Sequence, residues 1–149
     1  MRVERSPKIE LHNLQRKVAV NVTDLRKLAQ KAVALCLQLP AKKKTDLQTL
    51  SEVLVVIVSD RRMASLHRKF MNEPGPTDVI TFQHGEIFIS ADTALRNARR
   101  FGNPLNQELK LYVVHGLLHL HRFDDRDPAS ARKMRTAEKR ILGRLPKSR

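Results

Sequence analysis

Six consecutive residues, Val53-Leu54-Val55-Val56-Ile57-Val58, are branched and apolar, and five of them branch at Cβ. Branching at Cβ stiffens χ1 and suits a pleated surface, so this run predicts a buried strand. A strand this apolar has to be covered, and the flanking periodicity supplies the cover. Leu25, Leu28, Ala29, Ala32, Leu35, Cys36 and Leu39 recur at helical spacing behind a cap at Asn21 or Thr23, with Pro40 ending the segment. A second helix over about 61–70, capped by Ser59 or Asp60, places Met63, Leu66 and Phe70 on one face. Others start at Ser90 or Asp92, run over 105–120, and run over 128–142 between a cap at Asp127 and Gly143. Ile9 with Leu11, residues 18–22, 77–82 and 86–89 read as shorter strands, the last two joined by a Gln83-His84-Gly85 turn. Strands and helices mix without strict alternation. The expected class is α+β, a small mixed sheet covered on one face by helices. At 149 residues the chain reads as a single domain, 1–149.

Charge narrows the partners. Lys plus Arg number 29 and Asp plus Glu 15, a net +14. Residues 1–50 carry 11 basic and 4 acidic side chains, 51–121 carry 8 and 7, and 122–149 carry 10 and 4. The middle is nearly neutral and the ends are basic. Such an excess costs self-repulsion and points to a polyanion, nucleic acid first. With one Tyr, five Phe and no Trp, base stacking has little to work with, so binding to phosphates should dominate. No apolar run approaches the roughly 20 residues of a membrane helix, and the first residues lack the apolar core of a secretory signal. A cytoplasmic chain with no membrane partner is expected. Its single cysteine, Cys36, lies on an apolar stripe and reads as a core thiol, excluding an intrachain disulfide or a cysteine zinc cluster; no disulfide-linked partner is expected.

The chemistry concentrates in Val113-Val114-His115-Gly116-Leu117-Leu118-His119-Leu120-His121-Arg122-Phe123-Asp124-Asp125. His115 and His119 are four apart on a helix and therefore share a face, where two imidazoles can reach one divalent cation. His121 points off that face. A third ligand comes from Asp125, folding back beyond the helix end, with Asp124 as its rival; turn-stabilising hydrogen bonds are the ordinary role for either. The zinc-protease motif H-E-x-x-H needs a general-base Glu after its first His, and Gly116 stands there instead, which disfavours a protease.

His115, Gly116, Leu118, His119, Leu120 and Asp124, with Phe123 in place of Tyr, resemble the H-G-x-L-H-L-x-G-Y-D-H signature of the YbeY family, bacterial rRNA maturation factors and metal-dependent endoribonucleases. Upstream, Pro76-Thr77-Asp78-Val79-Ile80-Thr81-Phe82 resembles P-T-D-V-L-S-F, and Gly85-Glu86-Ile87-Phe88-Ile89-Ser90 resembles G-D-I-x-I-S. Glu108, Leu109, Leu111 and Val113 match the lead-in, and Met134, Glu138, Ile141 and Leu142 match a downstream M-x-x-x-E-x-x-I-L pattern. The motifs keep their order over about 53–142. The resemblance implies a zincin-like metal-hydrolase architecture with the metal in a cleft between sheet and helices. It implies single-strand-specific RNA cleavage, maturation of the 16S rRNA 3′ end and ribosome quality control, with RNA and small-subunit ribosomal proteins as partners.

Three departures stand out. The family's third metal His falls on Asp125, which suits Zn²⁺ but favours Mn²⁺ or Mg²⁺ more than three His would. Its turn Gly is Arg122, and its phosphate-contacting Arg aligns with Met71, leaving Arg68 one helical turn earlier as the candidate phosphate contact. The alternative reading is therefore a catalytically weakened RNA- or ribosome-binding factor that keeps the fold. Elsewhere, Glu108 reads as a ligand-orienting or core-supporting residue, Asp78 as a turn or cap acceptor that could instead aim at the cleft, and His12 as a strand residue. His67 and His84 read as surface or loop residues, and Arg96, Arg99 and Arg100 as a solvated helix face with RNA contact as the second role.

Overall fold

The computed structural model describes residues 6–147. In chain order the elements are β1 (Lys8–Asn13), α1 (Val22–Leu37), α2 (Asp46–Thr49), β2 (Glu52–Val58), α3 (Asp60–Met71), β3 (Val79–Phe82), β4 (Glu86–Ser90), α4 (Ala91–Phe101), α5 (Leu105–Leu120) and α6 (Pro128–Arg144). The four strands form one mixed sheet in the order β1-β2-β4-β3, in which β2 pairs in parallel with β1 and β4, and β3 runs antiparallel at the edge.

The apolar run of β2 explains itself in this sheet. Val53, Val55 and Ile57 point into the larger apolar cluster, built with α1, α5 and α6. Leu54, Val56 and Val58 point the other way, into a smaller cluster with Ile80 and Met63 of α3. A central parallel strand buried on both faces has no polar side to alternate with. The sheet is therefore covered on both faces, with α3 supplying the second cover. Phe70 does not join Met63 and Leu66 in that layer: it is 54% exposed, with its ring edge-on to Phe82 at 5.1 Å.

Caps explain most boundaries. Asn21, Ser59, Ser90 and Asp127 each accept a backbone N–H of their helix's first turn. Residues 18–22 are not a strand: Val18 lies in a connection bonded to Gln15, and Asn21 turns the chain into α1. Pro40 follows α1 rather than closing it, since the helix ends at Leu37. Helix α6 passes through Gly143 to Arg144. Helix α2 was not expected from periodicity, yet Thr45 and Gln48 form a reciprocal capping box there. Cys36 is fully buried, and burial pushes its thiol pKa up to about 12, as a core thiol requires.

Helix α5 is the central helix, apolar nearly all round and enclosed by α1, α4, α6 and the sheet. From Glu108 to Leu120 only Leu111, His115 and His119 escape full burial. Those three are spaced by four, so they form one open stripe on an otherwise enclosed rod.

Candidate metal centre

The open stripe of α5 presents two imidazoles to a turn that folds back over them. Helix α5 ends in a Schellman motif: Phe123 N–H bonds to Leu118 C=O at 2.9 Å and Arg122 N–H to His119 C=O at 3.1 Å. The motif needs a left-handed residue between them, and Arg122 takes that place with φ 69°. The turn geometry thus holds without glycine, at a cost of about 1–2 kcal/mol for a residue with a Cβ.

Beyond the turn, the two aspartates divide the work. Asp124 Oδ1 accepts from the N–H groups of Asp125 at 2.6 Å and Arg126 at 2.9 Å, so it builds the loop. Asp125 faces the histidines instead. Its Oδ2 lies 3.5 Å from His115 Nε2 and its Oδ1 3.8 Å from His119 Nε2, while the two Nε2 atoms are 3.0 Å apart. One ligand atom from each of the three lies within 4.8 Å of the others. Ligands about 2.0–2.1 Å from a tetrahedral ion lie about 3.3–3.4 Å from one another, so this donor set fits a divalent cation after small side-chain shifts. Each histidine is about 25% exposed and Asp125 44%, which leaves the carboxylate side open to solvent.

Glu138 completes the arrangement from α6. It is 9% exposed, and its Oε2 lies 3.1 Å from His115 Nδ1. A carboxylate only accepts, so it selects the Nδ1–H form of the neutral ring and leaves Nε2 as a bare lone pair toward His119 and Asp125. Burial pulls the His115 pKa down, but Glu138, and after it Asp125, hold it above the usual imidazole value. Those carboxylates favour a positive charge at this ring, whether proton or metal. Burial, and then the neighbouring His115, lower the pKa of His119 and keep that ring neutral. In the sequence Glu138 stands in the downstream motif, which says nothing of this contact. The available signal was a carboxylate among Met134, Ala137 and Ile141, the buried positions of α6.

Gly116 sits between the histidines against β4. A Cβ there would come within 2.7 Å of Ile87 Cγ2, so the helix rides on the sheet too closely for any side chain, and a protease-type Glu has no room. His121 does turn away from the pair. It is buried, with Nε2 donating to Leu39 C=O at 2.8 Å and Nδ1 3.0 Å from Thr45 Oγ, and it ties the end of α5 to the 39–45 loop.

The remaining candidates fall outside this cluster. Arg68 is exposed near the end of α3, the helix packed on the sheet's other face, and makes no ion pair among the described residues. Asp78 Oδ1 accepts from Val79 N–H at 2.8 Å, the turn role. Glu108 is buried in α5 and bonds to neither histidine. His67 is only partly exposed, 12% at its side chain, and it donates to Gly75 C=O to hold the loop after α3. His12 lies on edge strand β1, and His84 pairs with Glu86 beside the β3–β4 turn. Arg96, Arg99 and Arg100 all lie exposed on α4, and Arg96 in addition pairs with Asp60.

Comparison with known proteins bears on the same segment. The family model described as endoribonuclease YbeY matches residues 10–146. The chain belongs to the YbeY family. A relative from Thermobifida fusca, named Endoribonuclease YbeY, is 34% identical over 110 residues, covering 62% of this chain and 71% of its own length. A relative of the same name from Parabacteroides distasonis is 29% identical over 136 residues, covering 87% and 96%. Another so named, from an Anaeromyxobacter species, is 37% identical over 98 residues, a match spanning about half (51%) of that relative. Among solved structures, that of TM1509 from Thermotoga maritima aligns with TM-score 0.59 and 25% identity, covering 91% of this chain and 89% of the other. The YbeY assignment agrees with the mixed sheet covered by helices.

Proposed function

We propose that this YbeY-family chain is a metal-dependent, single-strand-specific endoribonuclease acting on ribosomal RNA, in maturation of the 16S 3′ end and in ribosome quality control in the cytoplasm. The observation that carries the reading is the convergence of His115, His119 and Asp125 at ligand spacing, with Glu138 behind His115. His115 and His119 would hold the ion through Nε2 and Asp125 through a carboxylate oxygen. Zinc suits two imidazoles and a carboxylate, and the carboxylate also admits Mn²⁺ or Mg²⁺. A divalent ion there supplies Lewis acidity, polarising a phosphoryl oxygen and making a water or a ribose hydroxyl easier to deprotonate.

The chain's own residues do the rest. Glu138 fixes the tautomer and plane of His115, so its lone pair needs no reorientation. The Schellman turn holds Asp125 opposite the two rings. Leu117, Leu118 and Leu120 anchor the helix in the core, keeping both rings on the open side. The exposed flank of Asp125 leaves an approach for a phosphodiester from solvent.

Metal analysis of purified protein tests the reading. About one equivalent of divalent ion per chain is expected, lost together with RNA cleavage in His115→Ala and His119→Ala. Unchanged metal content in both variants defeats the site. Retained RNA binding with no cleavage by the metal-loaded wild type would instead identify a binding factor. Asp125→His should tighten zinc binding; no change would assign the third ligand elsewhere.

A further inference from the structure

Beside the ligand loop lies a second concavity that the metal centre does not use. It has a volume of about 490 Å³ and is lined by Lys42 and Lys43 of the 39–45 loop, Arg122 and Asp124 of the turn after α5, and Lys133 of α6. Four side chains are cationic and one is acidic. None of the four cations makes an ion pair among the described residues. The carboxylate is already committed, since Asp124 Oδ1 accepts two backbone N–H groups and lies 3.7 Å from Arg126 Nε. The cleft therefore carries uncompensated positive charge at a fixed place.

Its walls are held rigidly, which scattered surface lysines would not be. His121, buried within the cleft's lining, bonds to Leu39 and Thr45 and so fixes the lysine loop against the turn that carries Arg122. Arg122 is one of two non-glycine residues with positive φ among the described residues, and the other, Asn72, is of a type that tolerates it. A strained arginine at a position that favours glycine points to a use for its guanidinium. Arg122 lines the cleft three residues before Asp125.

We propose that this cleft is a phosphate-binding subsite for single-stranded RNA, with Arg122 as its main backbone contact and Lys42, Lys43 and Lys133 completing it. The inference rests on the nuclease reading only for the fate of the strand; the binding itself stands on charge and shape. Arginine pairs with two phosphate oxygens at once, and the lysines act as point charges around it. A strand seated here passes alongside Asp125, so the subsite positions the neighbouring phosphodiester near the two histidines. Arg122 is a positioning residue and does not touch the reacting atoms.

The test is anisotropy of a short labelled single-stranded RNA across a salt series, with EDTA present to stop cleavage. Arg122→Gly removes the guanidinium while relieving the backbone, so it should unfold at or above the wild-type temperature. Losing one phosphate contact on a single strand should make the log–log salt slope shallower by about 0.7, which is about fourfold weaker binding near 0.15 M salt. The double variant Lys42→Ala/Lys43→Ala should lose roughly the square of that. Arg61→Gln, the same charge change on α3 across the sheet from the cleft, should lose clearly less. Wild-type affinity in Arg122→Gly, or an equal loss in Arg61→Gln, overturns the subsite. Cleavage assays with metal keep the two ideas apart. If His115→Ala abolishes cleavage while Arg122→Gly binds normally, only the subsite fails; if Arg122→Gly binds weakly while His115→Ala still cleaves, only the metal reading fails.

Discussion

Gly116 shows how much one absent side chain decides. An added Cβ meets Ile87 Cγ2 at 2.7 Å and Cδ1 at 2.9 Å, and Ile87 is fully buried and cannot swing away. Alanine gains about 1 kcal/mol of helix propensity over glycine, but overpacking a closed core costs about 1–3 kcal/mol. Gly116→Ala should therefore be destabilised by about 1 kcal/mol, read in chemical denaturation, with weaker metal binding because α5 must lift from β4. Equal stability to the wild type would show that the helix rides more loosely than the structure has it. Glu138 is the other telling residue. Glu138→Gln keeps its size but can offer Nδ1 an amide in place of a full negative charge. Divalent-metal affinity should fall by about 10–100-fold with little change in fold, measured by competition with a chelator. The spacing of His115 and His119 was legible in the sequence because helical geometry fixes it locally. The sequence offers both Asp125 and its rival Asp124; in the fold the loop's own N–H groups capture Asp124 and leave Asp125 facing the rings.

At the scale of elements, the joints carry the polar bonds. Asp60 at the start of α3 accepts from Ser90 Oγ at 2.6 Å and Thr93 Oγ1 at 2.7 Å, and pairs with Arg96, tying α3 to α4. Burial disfavours its charge, but Arg96, Ser90 and Thr93 outweigh that and hold its pKa below the ordinary 3.8. A carboxylate with a depressed folded pKa stabilises the protein above its unfolded value and stops doing so as pH falls through the folded one. Asp60→Asn should thus unfold at a lower temperature than wild type near neutral pH, and the gap should close at pH values below about 3.8. A gap that stays constant through acid would place the effect in packing and not in the charge. Helix α5 was readable end to end because its apolar positions repeat and Pro104 precedes it. Residues 18–22 misled because their β-branched composition lost to the cap at Asn21. Helix α2 is too short to show a period, although its capping box was there to read.

The whole molecule sets charge against a layered apolar frame. The sheet is buried on both faces, so the net +14 is displaced onto loops and helix exteriors. Among the described residues no helix is long and apolar enough to cross a membrane. A chain that grips a phosphate backbone with this surface should bind single-stranded RNA steeply with salt. If four phosphates are neutralised, affinity should fall about fiftyfold between roughly 50 and 200 mM salt, because each contributes about 0.7 to the slope. A flat salt response would remove the basic surface from RNA binding altogether.

Alone, the amino-acid sequence determined the strand at β2, the central helix with its histidine pair, and the family, because each is written in local periodicity or in motifs of fixed order. Only the tertiary structure decided which distant groups meet. Glu138 reaches His115 across 23 residues, His121 reaches Leu39 across 82, and Arg122 faces Lys42 and Lys43 over one cleft. Those encounters depend on how helices pack over a sheet, and no local pattern in the chain encodes that distance.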